Sequence, residues 1–527
     1  IGSGIVSESS GSEDRAEKKV CEGFFHSYRL MNYCSLRCAN CGIRPLENLC
    51  ERPFFRATLT DHGVGRYLFP PFQVMAKKTQ SIKSKLPESS NGFRVLGDDV
   101  ALASASLFSG GGIGDVGIEW GVGVPVAAAC ELIPSRAELI RLNFPGTQVL
   151  EGDIWKLADD YICDVQKRLG GLRPWLLTLS PPCQGMSANG AGRISAAIRS
   201  GKRMPEDERN RLVLPGIDVL EGLRPDWFLI ENVRRMENTV IRNEKGEPEN
   251  ILKLIGRRLQ PLGYTIRSSI VDFRRYGVPH HRERLITIGS RLPSIVQEIP
   301  PLSDFFSKEL SGLHPRPSHG GPDLPSPVTL REAVGHLPQL DSLSQPIDSK
   351  DAYHRVPSWN ESQYYWMSNT SEGMTAFDNH DCVYCKTEGH APEVVFCRSC
   401  QKPLPKPTIS KNGTTRLVRG FRTSYRRMTW DKPASTITMN SGVISSDMKG
   451  HPDQNRVLSL REILILGTLD HPSWNRAYQF EGVRHGRSQP GLNFSPRLVR
   501  EVVGESIPPL GMSYIIQHLA DLDGRLK

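Results

Sequence analysis

The stretch Leu176-Leu177-Thr178-Leu179-Ser180-Pro181-Pro182-Cys183-Gln184-Gly185 constrains this chain more than any other. Its four mostly apolar residues, 176–179, predict a short buried strand, and two consecutive prolines stop it because they cannot donate to a strand ladder. Cys183 is left on a tight loop at the strand's carboxyl end, which is where open α/β sheets bind their ligands. A cysteine there can act as a nucleophile if its thiolate is stabilised and an electrophile is placed against it. Taken alone, a buried free thiol is the commoner outcome. Its company changes that balance. A second apolar strand, Trp227-Phe228-Leu229-Ile230, ends in the carboxylate Glu231, followed by Asn232 and Val233. Further on, a loop carrying Arg282 and Arg284 leads into a strand over residues 285–289.

From residue 95 the pattern alternates strands with helices, which predicts a doubly wound α/β sheet. The first strand covers 101–108 and runs into the turn Ser109-Gly110-Gly111-Gly112-Ile113-Gly114. Glycines there let the backbone approach a ligand, and the helix expected over 113–120 points its amino end at it. The second strand, 124–130, is closed by Glu131, placed to accept hydrogen bonds from ribose hydroxyls. A third strand, 148–151, leads to Gly152-Asp153-Ile154. Helices are expected over 211–223 and over 251–262, the latter stopped by Gly263, with a strand over 266–273 between that stop and the arginine loop. Residues 189–209, rich in Gly, Ser and Arg, read as a mobile loop whose Arg193, Arg199, Lys202 and Arg203 can meet phosphates.

Phe108-Ser-Gly-Gly-Gly, Pro182-Cys183-Gln184, Glu231-Asn232-Val233 and Arg282-x-Arg284, in that order, resemble the DNA (cytosine-5) methyltransferase family. The resemblance covers residues 95–522 and implies a Rossmann-like methyltransferase sheet with S-adenosylmethionine as cofactor, surrounded by Phe108, Gly110, Gly112, Glu131, Asp153, Ile154, Pro181 and Ser506. It also implies a catalytic set. Cys183 adds to carbon 6 of a flipped-out cytosine, Glu231 faces ring nitrogen 3, and Arg284 with Arg282 holds the carbonyl oxygen. The last motif, Gly504-Glu505-Ser506-Ile507-Pro508-Pro509, followed by a helix over 512–522, is expected to fold back beside the first glycine turn. Two positions depart from the pattern: His280 stands where the family usually has Gln, and Glu505 where it usually has Asn. The carboxylate of Glu505 adds negative charge near the cofactor pocket.

Cysteines organise the remainder. The 12 cysteines are clustered, and in a chain without a secretion signal this points to metal binding more than to disulfides. Cys34, Cys38 and Cys41, with Cys50 or Cys21 as a fourth, suit structural zinc or an iron–sulfur cluster; the spacing does not choose between them. Cys382-x2-Cys385, eleven residues and Cys397-x2-Cys400 predict a zinc ribbon. The basic run after it, Arg416, Arg419, Arg422, Arg426 and Arg427 interleaved with Phe421 and Tyr425, suits DNA.

These features divide the chain into a disordered tail (1–18), a Cys-rich metal-binding region (19–76) and a linker (77–94). Then come a first catalytic part (95–292), a target-recognition domain carrying the ribbon at 382–400 (293–455), and a return segment that completes the catalytic domain (456–527). The net charge of +9 suits a polyanionic partner. No apolar run reaches the roughly 20 residues needed to span a bilayer. The expected partner is double-stranded DNA bound by a monomer, with cognate restriction or defence proteins beside it, in a bacterial cytoplasm or, in a eukaryote, the nucleus. Two rivals are a transfer-RNA cytosine methyltransferase and an inactive DNA-binding scaffold that keeps the fold.

Overall fold

The computed structural model describes residues 86–97, 99–182, 208–420, 423–486 and 491–526, all within the unit Pro71–Lys527. Cys21, Cys34, Cys38, Cys41, Cys50, Cys183, the basic residues of the 189–207 stretch, Phe421 and Arg422 lie outside the described residues.

The strands in chain order are β1 (Val95–Leu96), β2 (Val100–Leu107), β3 (Val126–Glu131), β4 (Gln148–Glu151), β5 (Arg173–Leu179), β6 (Trp227–Asn232), β7 (Val240–Arg242), β8 (Pro248–Asn250), β9 (Thr265–Asp272), β10 (Glu283–Ser290) and β11 (Phe306–Ser307). Nine of them form one sheet in the order β11-β9-β10-β6-β5-β2-β3-β4, with β1 paired to β2, while β7 and β8 form a separate ribbon. The central strands β2, β3, β5 and β6 run parallel, as near-continuous apolar stretches buried on both faces should. The strand β10 is antiparallel to both β6 and β9. The sheet is therefore mixed rather than purely parallel.

Helices cover both faces. On one, Ile154–Arg168, Val213–Leu223 and Ile251–Leu259 bury Tyr161, Leu220 and Ile255 with Leu177 and Phe228 of the sheet. On the other, Pro509–Leu522 lays Ile515, Ile516 and Leu519 against Trp175, Trp227 and Ile288. The expected helix over 113–120 forms as one short α-turn, Ile113–Asp115, continued as a π-turn, Val116–Trp120. The 251–262 helix tightens to a 3-10 turn at Gln260–Leu262 and stops at Gly263, whose φ of 90° is the left-handed conformation expected of a glycine in that place.

Between residues 293 and 455 regular elements are short. Trp359, Trp366, Met367, Tyr425 and Ile444 make a small core there. The hairpin of β12 (Thr408–Lys411) and β13 (Thr414–Leu417) turns through Asn412 and Gly413, both at positive φ. Residues 328–334 and 428–437 instead pack with Leu460–Leu466 and Pro496–Glu505.

Candidate active site and metal cluster

All the predicted functional residues that the structure describes on the sheet gather along one edge. Parallel strands β2 to β6 present their carboxyl ends there. The antiparallel β10 brings its amino end to the same edge, pairing Ile286 with Glu231 and Leu285 with Asn232.

The turn after β2 begins at Phe108, a non-glycine residue at φ 57°, and continues through Gly110 (57°) and Gly112 (74°). Only glycine adopts that conformation without strain, and a side chain on Gly112 would meet the Phe144 ring at 2.9 Å. A side chain on Gly110 would meet nothing within 4 Å, so its backbone faces open space that a ligand can use. The Gly110 N–H donates to Glu131 Oε2 at 2.8 Å and the Ile133 N–H to Oε1 at 3.0 Å. Burial pushes the Glu131 carboxyl above its ordinary range, and those two N–H groups and Arg136 oppose the shift. Each oxygen keeps a second acceptor direction for a hydroxyl. Beneath the turn, Asp115 is pushed up to about 7 by burial, its bond from Ser106 opposing the shift and Glu119 adding to it. Asp153 caps the Ile154–Arg168 helix through the Trp155 N–H at 3.1 Å, and Ile154 is buried. These groups fit a nucleoside with a methionine tail: an acid for the ribose, glycine backbone for close approach, and a second acid beyond. Sequence reasoning missed two exposed apolar side chains, Leu132 (62% exposed) and Trp155 (47%), which follow Glu131 and Ile154 directly. The signal was available, since a large apolar residue after a strand-ending acid has no core to enter.

The expected catalytic part of that edge is at β6, two strands from β2. Asn232 donates from Nδ2 to the Pro181 carbonyl at 3.0 Å, tying the end of β6 to the proline stem that precedes Cys183. Glu231 is buried, and its Oε1 meets Arg284 Nε at 2.7 Å. Arg282 does something different from what the sequence suggested. It is 1% exposed, and its guanidinium donates to the carbonyls of Gly504 (2.9 Å), Glu505 (2.5 Å) and Ile437 (3.3 Å). The difference lies where the strand begins: β10 starts at Glu283, so Arg284 stands on it with Ile286 on the face of Glu231, while Arg282 precedes the strand and is not held to its alternation.

Both departures from the family pattern are placed. His280 is buried and lends its Nδ1–H to the His281 carbonyl, and burial beside Arg282 holds its imidazole well below the ordinary pKa, hence neutral. Its loop is zipped to residue 434 by His281 N–H to Ala434 O (2.8 Å) and Ala434 N–H to Pro279 O (2.9 Å). Glu505 pairs with Arg136 at 2.6 Å. The expected return of the last motif beside the glycine turn is present: side chains on Gly114 and Gly117 would strike Ile507 (2.9 Å) and the Pro509 carbonyl (2.3 Å). Ser506 donates its hydroxyl to Val502 O. Tyr478, which the sequence did not single out, hydrogen-bonds the Gly111 carbonyl from outside the turn.

Where the sequence predicts a ribbon, the sulfurs of Cys382, Cys385, Cys397 and Cys400 all lie within 4.8 Å of one another. Each Cys-x-x-Cys closes in the same way: Lys386 N–H bonds Cys382 O, Gln401 N–H bonds Cys397 O, and both Lys386 and Gln401 take positive φ. Four thiolates at that spacing fit a tetrahedral soft-ligand ion.

The basic run after the ribbon does not act as one face. Arg416 and Arg419 are exposed. Tyr425 is core, and Arg427, 3% exposed, hydrogen-bonds the carbonyls of Met367, Thr370, His451 and Gln454 and the Asn455 side chain.

Among the described residues no helix is long and apolar enough to cross a membrane. A family model described as C-5 cytosine-specific DNA methylase matches residues 102–520. Type II methyltransferase M1.HgaI of Avibacterium volantium is 28% identical over 428 residues, 79% of this chain and 97% of that protein. Type II methyltransferase M1.HphI of Haemophilus parahaemolyticus is 24% identical over 418 residues, 77% of this chain and 87% of that one. Type II methyltransferase M.AquIA of a Picosynechococcus strain is 30% identical over 252 residues, 44% of this chain and 88% of that protein.

Proposed function

The chain belongs to the C-5 cytosine-specific DNA methylase family and is a DNA (cytosine-5) methyltransferase, and from that premise we propose how its residues divide the reaction. The observation that carries the proposal is the Glu231–Arg284 pair at the edge where Asn232 holds the Pro181 stem.

Carbon 5 of cytosine is too weak a nucleophile to take a methyl group until the ring becomes an enamine. Addition of the Cys183 thiolate to carbon 6 makes it one. Glu231 faces ring nitrogen 3 and stabilises the charge that builds on the ring by sharing a proton there. Arg284, fixed by its bond to Glu231, holds the carbonyl oxygen and sets the plane of the ring. Arg282 is a positioning residue, because its head is engaged by the backbone of residues 437, 504 and 505. S-adenosylmethionine, when bound, supplies an electrophilic methyl group on its sulfonium. The glycine turn from Phe108 to Gly112, together with Glu131, Asp153, Ile154, Pro181 and Ser506, would hold it, with Leu132 and Trp155 as apolar walls. Cys183 is expelled when carbon 5 loses its proton. The base must leave the duplex for any of this, at a cost of a few kcal/mol.

The target-recognition region runs over 293–455, with zinc held by Cys382, Cys385, Cys397 and Cys400 and DNA contacted by Arg416 and Arg419. The names of the relatives place those proteins in Type II systems, and by analogy this chain serves a bacterial restriction-modification pair, acting as a monomer on duplex DNA. Bisulfite sequencing of plasmid DNA from a host lacking cytosine methylation tests the reading. Methylation confined to one short motif, and lost with Cys183→Ser, is expected; an unmethylated plasmid from a host making folded protein would overturn it.

A further inference from the structure

The corner formed by Glu131, Arg136 and Glu505 carries a consequence for the cofactor beyond the family pattern. Residues 504–506 are fixed from two sides. From the catalytic edge, Arg282 grips the Gly504 and Glu505 carbonyls. A side chain on Gly504 would meet the Met439 nitrogen and the Thr438 carbonyl carbon at 2.3 Å, so this backbone has no room to slide. From the cofactor side, Glu505 Oε2 meets Arg136 Nη2 at 2.6 Å, with the two side chains 31% and 17% exposed. Arg136 stands in the first turn of the Pro134–Asn143 helix, five residues past the acid at the end of β3. It is close enough to Glu131 to draw its carboxyl down while Glu505 pushes it up. One guanidinium therefore pairs with Glu505 and acts on the charge of Glu131 as well.

We propose that Arg136 and Glu505 are a positioning pair that sets the charge of the cofactor corner, so that the site favours the cationic sulfonium cofactor over its neutral demethylated product. The proposal rests on the reading of this corner as the S-adenosylmethionine site. S-adenosylmethionine bears one more positive charge than the thioether left after transfer. With Glu505 ionised, the corner holds two acids and one base and is net negative. Replacing Glu505 by a neutral residue leaves one acid and one base, with Arg136 no longer engaged by Glu505 and free to turn toward Glu131 or the ligand. The side chain usual for the family at this position is thus the wrong one for this chain. The loss should fall on the cation selectively, because Coulomb attraction acts on the charge that distinguishes the two ligands.

The test is calorimetric titration of the purified full chain with S-adenosylmethionine and with S-adenosylhomocysteine, for the native protein, Glu505→Asn, Glu505→Gln and the double variant Arg136→Met/Glu505→Gln. Both single variants are expected to weaken S-adenosylmethionine about tenfold and S-adenosylhomocysteine by no more than about threefold. The double variant, which removes the unpaired cation as well, should recover most of the lost preference. Equal weakening of both ligands would mean a merely structural contact and would overturn the proposal, as would native affinity in Glu505→Asn. Glu505→Gln is nearly isosteric, so its thermal midpoint separates unfolding from lost selectivity. Native protein that bound neither ligand would remove the cofactor reading itself and the proposal with it; native binding with unchanged variants would remove the proposal alone.

Discussion

Arg284→Met separates holding the site together from stabilising the reacting base. The native Arg284 side chain is 13% exposed and Glu231 9%, with 2.7 Å between Nε and Oε1. An exposed pair contributes at most about 1 kcal/mol, and breaking a fully buried one costs about 3–5 kcal/mol. This pair lies between those limits. Methionine fills much of the same volume but leaves the Glu231 carboxylate facing an apolar neighbour, so we expect a loss of about 2 kcal/mol and a fall of about 4 °C in the thermal midpoint. The catalytic loss should be larger. A donor aimed at charge that develops on a ring oxygen is worth about a hundred- to a thousandfold in rate. Single-turnover transfer of a labelled methyl group to a short duplex, at saturating DNA and cofactor, measures that step alone. Arg284→Lys keeps the charge but loses the planar fork, and should fall between the native protein and Arg284→Met. A rate for Arg284→Met within about threefold of native would refute the assignment, whatever the stability change. If Arg282→Met instead lowered the single-turnover rate with DNA and cofactor affinity unchanged, Arg282 would act on the base and its backbone bonds would be incidental.

Other consequences can be measured separately. Replacing both Arg416 and Arg419 by Ala should lower the slope of log affinity against log salt for DNA by about two, whereas Arg427→Met should lower the thermal midpoint sharply and leave that slope unchanged in whatever protein stays folded. Cys397→Ser should reduce zinc by one equivalent per chain in elemental analysis; unchanged metal content would remove the ribbon as a zinc site. Glu462 forms a buried pair with Arg456 at 2.7 Å, with His451 Nε2 3.7 Å away. Burial pushes its carboxyl up, but Arg456, His451 and the Ser459 N–H outweigh that and hold it down at about 2. Its folded value thus lies below the unfolded one near 4.3, so the stabilisation is complete above about pH 5 and drains away as pH falls toward 2. Glu462→Gln should flatten the acid limb of the stability curve relative to native protein, and parallel acid limbs would show that the carboxylate contributes nothing there.

Much of this was legible because its causes are local. The strand before Cys183 follows from four residues and two prolines, and β5 ends at Leu179 as that pattern requires. The cysteine cluster follows from two short spacings, and its four sulfurs do converge. Glu131 ends β3 because it closes an apolar run, and Asp153 follows β4 by two residues as the N-cap of the next helix. What failed to show depends on partners distant in sequence. Arg427 looked like one more basic residue in a solvated run, yet the carbonyls that engage it come from residues 367, 370, 451 and 454. A composition window cannot see that an arginine will be enclosed by backbone. The Pro134–Asn143 helix, which supplies Arg136, also went unread, since its apolar positions hardly separate from its polar ones along the helical period.

The reversed strand is the step that joins fold to chemistry, and hydrophobic periodicity carries no sign of strand direction. A parallel strand offers the catalytic edge its carboxyl end, and Leu107, Glu131, Glu151, Leu179 and Asn232 all arrive there that way. An arginine at the start of a strand can reach that edge only if the strand runs the other way. The connection between β9 and β10, residues 273–282, with a 3-10 turn at Phe273–Tyr276 and Gly277 at φ 79°, reverses the chain there. The register that follows sets Arg284 against Val271 on one side and Ile286 against Glu231 on the other. A slip of one residue in the β6–β10 pairing would turn Arg284 to the face away from Glu231 and break their ion pair. The zipper between residues 279–281 and Ala434 opposes that slip, so a contact with a residue far along the chain also holds Arg284 in register.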